Sequence, residues 1–256
     1  MMSNFEKYST CYDLLYRDKD YGAEAAYVAR RIRDWRPQAC TVLELGSGTG
    51  RHGHLLAGMG FDVHGIERSS EMVAIAKAAG PAVSPGGGGS FSCEVGDICT
   101  ARLGRSFDAI VALFHVVSYQ TNNDALRQVF DVAAAHLVGG GVFLFDVWHG
   151  PAVLTQRPQR RAKRVEDGRR RVARTAIPVL DIDRGIVTVF YEVRCEDLAS
   201  GEMLRFSERH PMRYLFPTEI DLLSKGCGLS CVATEEFLTG QPPSPSTWGV
   251  AYILRK

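Results

Sequence analysis

Apolar and polar positions divide the chain into two rhythms. In the first, short apolar runs alternate with segments of helical spacing. Over 22–36 (GAEAAYVARRIRDWR), Ala25, Val28, Ala29 and Ile32 share one helical stripe, and Pro37 ends it. TVLEL (41–45) predicts a buried strand, and GSGTG (46–50) a tight loop opening a helix with His52, His54, Leu55 and Leu56. FDVHGIE (61–67) predicts a second strand, and SSEMVAIAKAAG (69–80) a helix capped by Ser69 or Ser70 and ended by Gly80 and Pro81. After the loop SPGGGGS (84–90) come the strands FSCEV (91–95) and FDAIVALF (107–114). A helix over 121–137, a turn at 139–141 and the strand VFLFDV (142–147) complete this half. Nearly continuous apolar strands of this kind belong to parallel sheets covered on both faces.

After Trp148 the rhythm changes. Residues 169–180, 185–196 and 203–215 predict extended segments, joined by turns at Asp183-Arg184-Gly185 and Ala199-Ser200-Gly201. A helix over 217–228 and strands over 229–237 and 248–254 close the chain. The expected fold is α/β, a doubly wound, mostly parallel seven-stranded sheet with an antiparallel β insertion after the fifth strand. The expected core is 1–150 plus 217–256, with 1–36 as an N-terminal cap and first helix. Residues 151–216 form the expected lid.

Composition narrows the function. Of 256 residues, 45% are hydrophobic and 23% charged, enough apolar side chains for a real core. No apolar run approaches the ~20 residues of a membrane span, and the charged, aromatic N-terminus does not read as a secretory signal. The seven cysteines are odd in number, scattered and without a CxxC pair, so reduced thiols in a cytoplasm are expected, with no metal site. Net charge is +1 but uneven: 157–174 carries nine Lys/Arg against two acids, leaving a net of −6 for the rest. An acidic body with one basic segment argues against nucleic-acid binding.

A doubly wound sheet binds ligands at the carboxyl ends of its strands, near the switch in strand order. Gly46, Ser47, Gly48 and Gly50 lie at such an end, where glycine lets backbone approach a ligand closely. Glu67 ends the second strand, suited to both hydroxyls of a ribose, and Asp97 ends the third, suited to an adenine amino group. Gly48, Gly50 and Gly53 also form GxGxxG, so a nicotinamide dinucleotide remains an alternative. Glu44, inside the strand tip, would repel a pyrophosphate but suits the ammonium of a methionine.

VLELGSGTG, GIERS and GDI resemble the motifs of the Rossmann-like S-adenosylmethionine-dependent methyltransferases over roughly 40–147. YDLLYRDKDYGAEA, GTGRHGHLL, ERSSEMVAIA, ALFHVVSYQ and ERHPMRYLFPTEID are similar to the sugar N-methyltransferases that act on nucleotide-linked aminosugars in macrolide biosynthesis. The resemblance implies S-adenosyl-L-methionine as cofactor and a small-molecule acceptor, for a monomer or homodimer that binds neither nucleic acid nor membrane. It implies that Tyr21 and His52 hold the methionine end and Met72 the adenine, with Arg68, Ile98 and Leu113 in the same cofactor loops. It places Tyr12 or Tyr16, and Tyr119, beside the acceptor amine. The sequence departs from that family at His115 and Val116, where the family has small polar residues. Asp146-Val147-Trp148-His149 likewise replaces Glu-Pro-Trp-Trp.

His115, Tyr119 and Tyr16 are therefore the candidate catalytic residues, and Tyr12, Trp148, His149 and His210 the candidate acceptor contacts. The expected activity is methyl transfer to an amino group of a sugar or similar metabolite, with O-methylation or nicotinamide chemistry as alternatives. A cofactor-binding protein without catalysis is the third class. ALFHVVSYQ lacks the Asn/Asp-Pro-Pro-aromatic signature of nucleobase amino-methyltransferases.

Overall fold

The computed structural model describes residues 14–80 and 88–256. The apolar runs become helix α1 (Tyr21–Trp35), strand β1 (Thr41–Leu45), α2 (Arg51–Gly58), β2 (Asp62–Glu67), α3 (Ser70–Ala78), β3 (Phe91–Val95) and β4 (Phe107–Ala112). A 3-10 turn (Val116–Tyr119), α4 (Asn123–His136) and β5 (Leu137–His149) follow. Asp20, Ser69 and Asn122 accept N-terminal amides of α1, α3 and α4, the caps that start each helix.

Strand order is β3-β2-β1-β4-β5, all parallel. Alternate residues of a strand face opposite sides. Val42 of β1 therefore packs with Val28, Ile32 and Leu56 of α1 and α2, whereas Leu43 and Leu45 pack with Leu126, Val129 and Phe130 of α4. The order reverses between β1 and β4, so their carboxyl ends open a crevice for ligand.

The rest of the chain departs from the expectation in detail. A short helix α5 (Gly150–Gln156) precedes four antiparallel strands, β6 (Arg161–Glu166), β7 (Arg170–Asp181), β8 (Ile186–Asp197) and β9 (Met203–Leu215). The sequence reading missed β6 because its basic run shows only one buried residue, Val165. Helix α6 (Pro217–Gly226) and strands β10 (Ser230–Glu236) and β11 (Gly249–Arg255) return to the core, with β11 antiparallel to β5. Seven strands thus form the core. The sheet as a whole has eleven, because β9 continues it beside β5 through Trp148–Tyr214 and His149–Leu215. Residues 139–141 lie inside β5 rather than in a separate turn, with Gly140 at φ 74° absorbing the irregularity.

The segment before α1 ties the core to the antiparallel strands. Leu15 is buried among Val165, Val172, Val193 and Cys195. Lys163 Nζ donates to the Leu15 carbonyl at 2.6 Å and Arg17 to the Glu166 carbonyl at 3.0 Å. Among the described residues, no helix is long and apolar enough to cross a membrane.

Asp108, at the start of β4, accepts from the Cys40 and Thr41 amides, the Thr41 hydroxyl and Arg36 Nε at 2.8–3.1 Å. Partial burial opposes ionisation, but these donors outweigh it and hold the carboxyl at about 2. The folded value lies below the unfolded one, so the stabilisation is complete above pH 4 and fades as pH falls towards 2. Asp108→Asn is expected to cost about 2 kcal/mol at pH 7. Urea titrations should show the gap to the parent narrowing below pH 4, and a gap independent of pH would contradict this account.

Candidate active site

The glycine loop is built by left-handed backbone at Gly46, Gly48 and Gly50, with φ of 73°, 55° and 77°. A Cβ at Gly46 would lie 2.7 Å from Val116, so this position needs glycine for space as well as conformation. The Gly46 and Ser47 amides donate to the Ile66 carbonyl, which fastens the loop to β2. Glu67 accepts from the Gly48 amide through Oε2 and from the Ser69 amide through Oε1, both at 2.9 Å. Each oxygen keeps a second lone pair for a ligand hydroxyl.

Glu44 is 2% exposed and its Oε2 has no hydrogen-bond partner; the Ser47 hydroxyl is likewise buried and unpartnered. A Cβ at Gly53 would lie 2.8 Å from that Oε2 and 2.2 Å from Phe91, so only glycine fits beside the carboxyl. Burial first, then the charge of Glu67, push Glu44 up to about 8, and the Gly53 amide offsets only part of this. His52 Nε2 pairs with Glu24 at 2.7 Å, while its Nδ1 stands 4.0 Å from Glu44. Lys19 also binds Glu24, and its ammonium lies over the rings of Tyr21 and Phe114 at 4.2 and 4.3 Å. The Tyr21 ring stands 5.0 Å from His52.

The other expected nucleotide residues are more dispersed. Met72 is buried, with its sulfur 4.0 Å from the Cβ position of Gly48, and Leu113 is buried at the end of β4. Asp97 is exposed and accepts from the Cys99 amide at 2.8 Å, so it caps the turn after β3. Ile98 is half-buried beside it, and Arg68 is exposed after Glu67.

Past β4 the chain turns sharply. Phe114 and His115 both adopt left-handed backbone, φ 64° and 62°, which costs non-glycine residues about 1–3 kcal/mol each. Asp146, fully buried on β5, accepts from the His115 amide at 3.2 Å through both oxygens and lies 2.7 Å from His115 Nδ1. That ring contact is close but poorly aligned, since Nδ1 satisfies no hydrogen-bond geometry. Burial alone would raise Asp146; the His115 charge and hydrogen bonds, with Lys19 farther off, hold it below the usual carboxylate range. Two of the residues that depart from the family pattern, His115 and Asp146, are therefore in direct contact.

At the other end of the 3-10 turn, the Tyr119 hydroxyl meets His210 Nδ1 at 3.0 Å, and His210 Nε2 meets Glu208 at 2.8 Å. Glu208 and His210 are two apart on β9 and share its buried face. Glu208 Oε1 is buried without a partner. Arg174 donates to the Tyr16 hydroxyl at 2.8 Å and covers the Tyr191 ring at 4.5 Å; Tyr191 in turn packs 4.9 Å from His210. Burial of its hydroxyl, then Tyr191, Tyr16 and Glu208, push Tyr119 far above the ordinary phenol value. Burial and Tyr16 push Tyr191 up to about 12. Tyr16 packs edge-on to Phe114 at 5.2 Å, and Trp148 lies 6.1 Å from His115.

Two expected acceptor residues are not brought together with these. His149 faces the opposite side of β5 from Asp146 and Trp148, where it is buried against the Thr247 carbonyl at 3.3 Å. Tyr12 lies outside the described residues.

The methyltransferase-domain family profile matches residues 42–141. The dTDP-3-amino-3,4,6-trideoxy-α-D-glucopyranose N,N-dimethyltransferase of Streptomyces venezuelae is 30% identical over 234 residues, 90% of this chain and 92% of its own. The chain belongs to the S-adenosylmethionine-dependent methyltransferases, in the aminosugar N,N-dimethyltransferase family. An amino pentose methyltransferase from Micromonospora echinaspora, solved with S-adenosylmethionine bound, superposes with TM-score 0.75 at 26% identity, covering 100% of this chain and 98% of its own. A sugar N-methyltransferase from a Streptoalloteichus species gives 0.77 at 26%, covering 96% and 93%.

The residues of this methyltransferase fit its cofactor. The unpartnered Glu44 Oε2 and Ser47 Oγ sit in the glycine cradle, as polar contacts for the methionine end require. Glu24, Lys19, Glu208, Arg174 and Tyr191 were not singled out from the sequence. Glu24 carried a signal, since it lies three residues after Tyr21 on the same helical face. Glu208 stood in ERHPM beside the candidate His210, but only strand pairing reveals its contact.

Folded Glu44 keeps its proton to about pH 8, whereas the unfolded chain releases it near 4.5. Between those values the unfolded chain holds fewer protons, so this group lowers stability by up to about 1.4 kcal/mol per pH unit as pH rises. Glu44→Gln removes the effect. Its stability relative to the parent should rise between pH 5 and pH 8 in urea titrations without ligand, and parallel pH curves would show that the carboxyl is already ionised.

Proposed function

We propose that this methyltransferase acts on the amino group of a nucleotide-linked aminosugar. The Tyr119–His210–Glu208 relay, which joins the 3-10 turn after β4 to strand β9, carries the reading. The Streptomyces venezuelae relative supports the substrate class.

Gly46, Ser47, Gly48 and Gly50 would hold the cofactor by backbone approach, with Glu67 on the ribose and Asp97 on the adenine amine. Met72, Ile98 and Leu113 would pack the adenine, with Arg68 at the edge. Tyr21, Glu44 and His52 would hold the methionine end, braced by Glu24 and Lys19. When bound, S-adenosylmethionine supplies an electrophilic methyl group with its own leaving group.

The chain's task is to place a neutral amine in line with that methyl; orientation of this kind is worth ~7–11 kcal/mol. The Tyr119 hydroxyl, protonated at neutral pH, donates to His210 Nδ1 and accepts an N–H from the amine. This orients the amine lone pair away from Tyr119. The proton lost after transfer passes through Tyr119 to His210, where Glu208 stabilises the imidazolium. Residues 151–216 act as the lid over this pocket, with the N-terminal cap and Tyr16 closing its side. Arg161, exposed on β6, suits a phosphate of a nucleotide sugar. All of these groups come from one chain, so either a monomer or a homodimer can provide the site.

Calorimetric titration should show tight binding of S-adenosylhomocysteine and none of NAD. Glu67→Ala should lose about a hundredfold or more in that affinity, as two hydrogen bonds to a charged group disappear. Unchanged affinity would remove Glu67 from the cofactor contacts. With an aminosugar nucleotide as acceptor, Tyr119→Phe should lower kcat about a hundredfold while S-adenosylhomocysteine still binds. Normal turnover would exclude the relay.

A further inference from the structure

Amine transfer as proposed uses one histidine system and leaves a second unexplained. The 3-10 turn separates Tyr119 from His115, and the Ser118 amide donates to the His115 carbonyl at 2.9 Å to close it. One end of this turn meets His210; the other meets Asp146 and Trp148.

We propose that His115 and Asp146 form a general-base dyad that gives the enzyme a second activity, methyl transfer to a sugar hydroxyl. This rests on the sugar-nucleotide reading. An amine carries a free lone pair, but a hydroxyl attacks well only if its proton leaves during the attack. A histidine performs this when a carboxylate holds one ring nitrogen protonated and leaves the other bare.

Asp146 is suited to that role. It is fully buried, faces His115 Nδ1 at 2.7 Å and holds the same residue's amide with both oxygens. A small turn of the ring would bring Nδ1–H into line with this carboxylate, 2.7 Å away, and so favour the tautomer with Nε2 bare. Nε2 makes no hydrogen bond with any described residue, and the side chain retains 23% of its exposure, so it can reach an acceptor. The consecutive left-handed residues Phe114 and His115 hold the ring in this orientation, backbone strain of the kind that collects at functional sites.

The balance is simple. The hydroxyl oxygen forms a bond to the methyl carbon as the S–CH3 bond breaks, and that electron pair stays on sulfur as a neutral thioether. The hydroxyl proton passes to His115 Nε2, giving an imidazolium paired with Asp146. The amine acceptor uses Tyr119, and a hydroxyl acceptor at the same sugar position turns instead towards His115.

Two probes separate the activities: dTDP-3-amino-3,6-dideoxyglucose and its 3-hydroxy counterpart, each incubated with S-adenosylmethionine and read by mass spectrometry. The parent enzyme should methylate both. His115→Asn should lower O-transfer about 10²- to 10⁴-fold and N-transfer far less, so the O-to-N ratio collapses. Calorimetry with S-adenosylhomocysteine checks that the variant is folded. Asp146→Asn should depress the same ratio, and Asp146→Glu, which keeps the charge, should restore part of it. Methylation of the amine alone, or equal loss of both activities in His115→Asn, overturns the dyad and leaves the amine reading standing. No turnover of either probe, with S-adenosylhomocysteine still bound, overturns the sugar reading and the dyad with it.

Discussion

The absence of side chains at a few glycines around the tip of β1 governs the site. Gly46 gives Val116 room to pack beneath the loop, Gly53 admits Glu44 and Phe91, and Gly65 faces the Ser47 side chain at 2.5 Å from its Cβ position. These close approaches let a carboxyl and a hydroxyl be buried without partners next to backbone amides. Burial of that sort is unfavourable for the free chain. It persists because the parallel strands on either side, β2 and β4, fix the loop's ends.

The second constraint is the joint between the core and the antiparallel strands β6–β9. Only two residue pairs, Trp148–Tyr214 and His149–Leu215, carry β9 alongside β5. That joint sets Glu208 and His210 at the height of the 3-10 turn, so a strand late in the chain supplies the partners of Tyr119. The segment before α1 reinforces it through Leu15 among the β6–β8 valines and Lys163 on the Leu15 carbonyl. The same segment reaches the cradle through Lys19, Glu24 and His52. The segment before α1, the antiparallel strands and the glycine loop therefore form one connected network.

Electrostatically the pocket keeps three of its acids beside a potential cation: Glu24 between Lys19 and His52, Asp146 at His115, Glu208 at His210. Buried carboxylates without such partners would be driven to protonate, as Glu44 is. A positively charged methyl donor is well matched to a site whose uncompensated groups are acids.

Residue order alone determined the doubly wound core, the ligand end of the sheet and the acids at the ends of β1, β2 and β3. These depend on local periodicity and on glycine's freedom at positive φ, both of which are written in consecutive residues. Strand β6 escaped because its alternation buries only Val165 within a basic run. The partners of the histidines escaped for a different reason. His115 and Asp146 lie 31 residues apart, and Tyr119 and His210 lie 91 apart. Such pairs come into contact only through strand register across β4–β5 and the β5–β9 joint. Register is a property of neighbouring strands, so tertiary structure alone decided which histidine meets which carboxylate, and that His149 faces away from both.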